Sequence, residues 1–250
     1  MCTGSQWRRA SLLRTLVGVK RPIRAIWTIC GAIAAMFIAG SLIVVALSTT
    51  TTTTRTYTAP VREIVVSTER GAIAVTAAPG AHLITVASRQ KKVIWGPVVT
   101  ETLTNGILTL TATCPLSAFI SCSSDFVISA PPGIAVHGSA QRGLLAVNGM
   151  SGTIYSNSEN GAFTYRGASH SITAYSLEGV IDVVSTTPPN FVHLRSETAN
   201  VNLTVPAGVY NAVVTSGTGI AHTYGIMSHP HSHRSLTVSS GAGTATLRAN

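Results

Sequence analysis

From residue 143 onward, small turns and alternating apolar positions recur with a nearly fixed period. Gly143, Gly161 and Gly179 are spaced 18 residues apart, and Ala199 and Gly219 follow at intervals of 20. A short polar turn precedes each: Ala140-Gln141-Arg142, Ser158-Glu159-Asn160, Ser176-Leu177-Glu178, Ser196-Glu197-Thr198 and Ser216-Gly217-Thr218. Two places beyond the turn stand Leu145, Phe163, Ile181 and Val201; four places beyond stand Val147, Tyr165, Val183 and Leu203. Between them lie Ala146, Thr164, Asp182 and Asn202. Alternation with period two describes a strand with one buried and one wet face, and a fixed period near 20 residues describes stacked coils. The first two sets are therefore expected as apolar core columns and the third as an outer column.

The same template fits after Gly71 (Ile73, Val75), Gly106 (Leu108, Leu110) and Gly243 (Ala245, Leu247). Ile154 and Ile172, each 11 residues after a turn glycine, mark a second strand per coil. Ala221 and Thr223 fill the inward places after Gly219 poorly, so the chain either leaves the stack there or caps it. No sustained helical period occurs between residues 60 and 250. The expected fold is all-β, a β-solenoid-like stack of 18–20-residue strand repeats, with residues 58–250 as the domain.

The N-terminal part differs. Ala25–Leu47 holds no charged residue over 23 positions, about 34 Å as a helix against a hydrocarbon core of roughly 30 Å. A single transmembrane α-helix is expected over residues 25–47. A signal peptide has a shorter apolar core and a small-x-small cleavage site, and Ala46-Leu47-Ser48 is a poor one; Ile29 before Cys30 argues against a lipoprotein. Residues 48–57, rich in Ser and Thr without an apolar period, read as a tether.

Charge adds a direction. Of a net +9, six positive charges (Arg8, Arg9, Arg14, Lys20, Arg21, Arg24) precede the apolar run, and the other 11 basic residues against 8 acidic ones leave +3. The positive-inside rule puts residues 1–24 in the cytoplasm as a basic tail and residues 58–250 outside it. A domain with so little excess charge lacks the cation cluster that nucleic acid requires. Cys114 and Cys122, with seven residues between them, suit an extracytoplasmic disulfide, two buried thiols being the other reading.

Candidate chemistry is sparse. His229, His231 and His233 alternate, and on an extended strand their imidazoles would share one side, as a Zn or Ni site needs; no carboxylate stands near them, and a solvated loop is the plainer reading. Glu159, Glu178 and Glu197 fall in successive turns. Glu159 and Glu197 would lie roughly 10 Å apart, within the range of paired carboxylates in an inverting glycosidase, but no Asp column or basic pair accompanies them. Nucleophile elbows and phosphate-cradling glycine loops are missing from the sequence. No catalytic residue and no cofactor is expected.

The basic start, one apolar helix and S-x-x-G turns followed by alternating strands resemble the bacterial putative-adhesin family of β-strand-repeat proteins, in its actinobacterial type. Carrying the resemblance are Cys122-Ser-Ser-Asp-Phe-Val-Ile-Ser-Ala-Pro-Pro-Gly133, Asn202-Leu-Thr-Val-Pro-Ala-Gly208 and Ser216-Gly-Thr-Gly219, over about residues 60–250. Many members place Gly-Asp after the turn serine, whereas this chain has Glu178-Gly179-Val180 and Ala199-Asn200. The family has no assigned activity. The resemblance implies a cell-surface β-repeat module. Joined to the uncharged run and the missing catalytic motifs, it gives the expectation of a single-pass, non-catalytic adhesin-like binding or structural module, touching the bilayer through residues 25–47 and an unknown surface protein or polysaccharide through its coils. A polysaccharide-acting β-helix enzyme and an envelope-stress or signalling accessory are the other readings.

Overall fold

In the computed structural model, residues 49–92, 96–114 and 122–250 are described. Every regular element among them is a strand: β1 (Thr49–Tyr57), β2 (Glu63–Ala77), β3 (Ile84–Lys92), β4 (Val98–Thr104), β5 (Ile107–Thr113), β6 (Ser123–Ala130), β7 (Ala135–Asn148), β8 (Ile154–Ser158), β9 (Ala162–Gly167), β10 (Ser171–Ser176), β11 (Ile181–Ser185), β12 (Phe191–Ser196), β13 (Val201–Val205), β14 (Val209–Ser216), β15 (Ala221–Tyr224), β16 (Met227–Ser228), β17 (Ser235–Ser240) and β18 (Ala245–Ala249). The all-β expectation holds. The helix over residues 25–47 and the tail before it lie outside the described residues.

Each coil contributes two strands, and like strands stack in parallel. One rank runs β8–β10–β12–β17–β14, the other β9–β11–β13–β18–β15. β2 and β7 are whole coils in single bent strands, paired with each other from Glu63↔Ala135 to Thr76↔Asn148. They bend at Gly71 (φ 134°) and Gly143 (φ 151°), and a Cβ on Gly143 would meet the Gly71 carbonyl oxygen. Backbone torsion and backbone proximity both demand glycine at these bends. Together the ranks form one curled, mostly parallel sheet of 18 strands.

The sequence columns survive into this register. Leu145, Phe163, Ile181, Val201 and Ala245 align across neighbouring strands, as do Val147, Tyr165, Val183, Leu203 and Leu247. All ten are at most 2% exposed, so the alternation does report the buried face. Buried Val136, Ile154, Ile172, Val192 and Leu236 make the facing column.

Coil order departs from chain order at both ends. β17 and β18 do not stack outside β14 and β15; they lie between these and β12–β13. The poorly filled coil after Gly219 is therefore the end cap. At the other end, β5 and β6 stack against the outer edge of β2, while β7 takes its inner edge.

Two expectations are corrected here. Gly106 is not a coil corner: Asn105 (φ 52°) and Gly106 (φ 75°) form the two-residue turn of the β4–β5 hairpin, where positive φ at both places matches strand twist. Leu108 and Leu110 consequently pair with Ile64 and Val66, in the other column from the one expected. Within the tether expected over residues 48–57, Thr49–Tyr57 is instead strand β1. β1 pairs antiparallel with β3 from Thr49↔Lys92 to Tyr57↔Ile84, and the compact unit spans Ser48–Asn250. A run of threonines lacks apolar alternation, yet β-branched side chains favour the strand and their hydroxyls tolerate the exposed edge.

Corners are closed by serine. Ser158, Ser176, Ser196, Ser240 and Ser216 occupy one register column. The hydroxyls of Ser176, Ser196, Ser216 and Ser240 accept the N–H three residues on, at 2.7–3.1 Å, from Gly179, Ala199, Gly219 and Gly243. Each also donates to a carbonyl of an adjacent coil, for example Ser240 to Ala199 at 2.8 Å. One side chain thus satisfies two backbone groups that the turn would orphan.

Candidate functional site

The outward face of the first rank carries a ladder of rings. His137, Tyr155, Thr173 and His193 share a register row, with Tyr175 one row aside. Ring centroids are 5.5 Å apart for His137–Tyr155, 6.4 Å for Tyr155–Tyr175 and 5.4 Å for Tyr175–His193. Phe191, 44% exposed and two residues before His193 on the same strand, stacks on His193 at 6.5 Å and widens the row to one side. The Tyr155–Tyr175 and Tyr175–His193 contacts run diagonally between strands, a distance that only long or aromatic side chains bridge. Strands repeating every 4.8 Å or so hold one ring from each of β7, β8, β10 and β12 in a row without a loop.

Two charged pairs flank the rings. Glu63 Oε1 lies 3.8 Å from His137 Nδ1 at one end, and Arg195 pairs with Glu197 at 2.7 Å beside Tyr175. Sequence reasoning missed the ladder. Its signal was present: His137, Tyr155, Tyr175 and His193 follow one another at 18, 20 and 18 residues, the period of the coils.

On the outward face of the second rank is a shallow depression of about 250 Å³, lined by Asp182, Asn202, Leu203, Thr204, Thr246 and Arg248. Asp182, Asn202 and Thr246 form one register row, and Thr204 and Arg248 belong to the row two residues on. Small side chains between the two charged ones leave the hollow.

The residues singled out by sequence are placed as follows. Cys114 and Cys122 are disulfide-bonded, joining the end of β5 to the start of β6 at that coil's corner. Glu69 accepts the Cys114 N–H at 2.9 Å. His229, His231 and His233 lie in an exposed loop, not on an extended strand: the Ser232 N–H bonds back to the His229 carbonyl at 3.0 Å. That turn brings His229 and His231 to 5.7 Å between ring centroids and accounts for no third partner. Among the described residues no group of three or more His, Cys, Asp or Glu is arranged to hold a metal ion. Glu178 accepts from the Asn160 side chain and Glu197 is held by Arg195. With Glu159 they sit on corner turns, and none of the three lines the depression.

Phenols supply the perturbed titrations. Burial pushes Tyr165 up to about 12, its hydroxyl donating to the Met150 carbonyl at 2.8 Å and accepting from the Ser169 N–H at 2.6 Å. Burial, then the Glu101 carboxylate at 2.6 Å, pushes Tyr57 up to about 12; Arg55 also pairs with Glu101, at 3.1 Å. Burial likewise raises Tyr210. These groups brace the core and its N-terminal end, away from both faces described above.

No family model and no curated protein matches the chain. Among solved structures, a "putative cell adhesion protein" from Clostridium sporogenes is similar at 10% identity and a TM-score of 0.43, covering 80% of this chain and 100% of its own. A "putative adhesin" from Bacteroides fragilis follows at 13% identity and 0.34, covering 80% and 97%. A "putative lipid binding protein" from Parabacteroides distasonis stands at 8% and 0.23, covering 80% and 96%. Likeness at this level does not identify what the chain binds.

Proposed function

We propose that this chain is a non-catalytic, adhesin-like binding module, anchored by a helix over residues 25–47 with its β-coils outside the cytoplasm. The observation that carries the reading is the ring ladder. Four rings in a row over four coils, with Phe191 beside the last, offer broad apolar and hydrogen-bonding contact. Tyr and similar residues dominate binding surfaces because a large rigid side chain is ordered there at little entropic cost. A partner would lie along the coils, touching several at once, and a surface protein or polysaccharide has the necessary extent. The basic residues before position 25 and the uncharged run after them support the anchor and its direction.

The test is capture of envelope polymers and surface proteins by the full chain in detergent. A partner retained by the wild-type chain and lost with Tyr155→Ala/Tyr175→Ala supports the reading. Chemical turnover of a retained polymer, or retention indifferent to both tyrosines, contradicts it.

A further inference from the structure

We infer that the depression between Asp182 and Arg248 is a second binding site, separate from the ring ladder, and that it takes a ring of a neutral, hydroxyl-rich saccharide. Its walls are a carboxylate and a guanidinium, both exposed, and among the described residues neither takes part in an ion pair. They stand on strands two coils apart, β11 and β18, with β13 between. The floor is Asn202, Thr204 and Thr246.

That donor set selects its ligand by elimination. An anion would suit Arg248 but face the Asp182 carboxylate; a cation would meet the reverse. A neutral group that both donates and accepts satisfies both walls at once. Asp182 accepts two hydroxyl protons, Arg248 presents a planar fork of donors, and the amide and hydroxyls of the floor do either. Adjacent hydroxyls on a sugar ring have that dual character at each oxygen. An apolar ligand would leave all five polar side chains stripped of water without partners, which is costly.

Size and surroundings agree. At about 250 Å³ the hollow is below the ~300 Å³ at which sites for drug-sized ligands begin, so it fits one ring rather than a larger molecule. Tyr224 continues the row directly beside Arg248. It is 52% exposed and stacked on His222, with centroids 5.6 Å apart and planes 24° from parallel. An aromatic face next to a polar hollow receives the C–H face of a neighbouring sugar ring. From β11 to β15 the row spans three coil steps, about 14 Å, so a short linear oligosaccharide running along the stack would occupy both.

Calorimetric titration of the full chain in detergent, with hexasaccharides of glucose, mannose, galactose and arabinose, tests this; heparin serves as the charged control. At least one neutral hexasaccharide should bind. Asp182→Asn and Arg248→Met should each weaken it about tenfold or more, and Tyr224→Ala severalfold, with thermal midpoints unchanged because all three side chains are exposed. Tyr155→Ala/Tyr175→Ala should leave this binding intact. Binding by none of the four sugars, binding by heparin alone, or equal binding by the Asp182 and Arg248 variants would overturn the site. Should that happen while a larger partner is still captured through the tyrosines, the ladder reading stands and only the saccharide site falls.

Discussion

The Ser216 hydroxyl donates to the Gly243 carbonyl at 2.8 Å, a contact between the cap coil and a coil that follows it in sequence. Because the last strands enter the stack between two earlier coils, they are structural filling and not a tail. Leu236 and Leu247 are fully buried there. Leu236→Ala should cost roughly 2–5 kcal/mol, the range for a leucine cavity in a core. Ending the chain after Arg234 should make residues 206–234 sensitive to protease, since β14 and β15 then lose the strands they pair with. Thermal unfolding and limited proteolysis measure both.

Glycines of the repeat divide into two kinds. A Cβ on Gly179 would meet the Gly161 carbonyl oxygen, whereas one on Gly133 would meet nothing within 4 Å. Gly179→Ala should therefore destabilise by roughly 1–3 kcal/mol as the corner is forced apart. Gly133→Ala should be neutral or slightly stabilising through the unfolded chain. Denaturant midpoints of the pair decide it.

Tyr165 links stability to alkaline pH. Its phenol, with an unfolded value of 10, is pushed up to about 12 in the fold, so the folded state holds the proton more tightly. That contribution is complete below pH 10 and is lost as pH rises through about 12; Tyr57 adds to it in the same window. Tyr165→Phe should flatten part of the loss between pH 10 and 12. At neutral pH it should cost about 1–3 kcal/mol, because the Ser169 N–H and Met150 carbonyl are left without that partner. Unfolding measured from pH 7 to 12 gives both numbers.

The Cys114–Cys122 bond closes a short loop. Its reduction, or Cys114→Ser/Cys122→Ser, should lower stability by about 2–3 kcal/mol. A thermal midpoint unchanged by reductant would count against the constraint.

What the sequence made legible followed from periodicity. Leu145, Phe163, Ile181 and Val201 stack as their spacing says, because coils of equal length place equal positions in register. Order at the ends was not legible. Gly243 carries the same local signal whether its coil lies outside β15 or inside it, and only edge pairing decides. Thr49–Thr54 misled because an edge strand needs no apolar alternation; pairing with β3 is a long-range fact. The ladder was overlooked for a different reason. Tyr155 and Tyr175 keep the coil period, but they stand in mid-strand on the outward face, where an aromatic residue carries the same local signal as any other strand former.

Binding spread along the ladder is read by affinity measured ring by ring. With a captured partner in hand, His137→Ala, Tyr155→Ala, Tyr175→Ala and His193→Ala should each weaken binding by about threefold to tenfold, with thermal midpoints close to wild type. The Tyr155→Ala/Tyr175→Ala pair should weaken it further. Four single variants that all bind as the wild-type chain does would contradict the account.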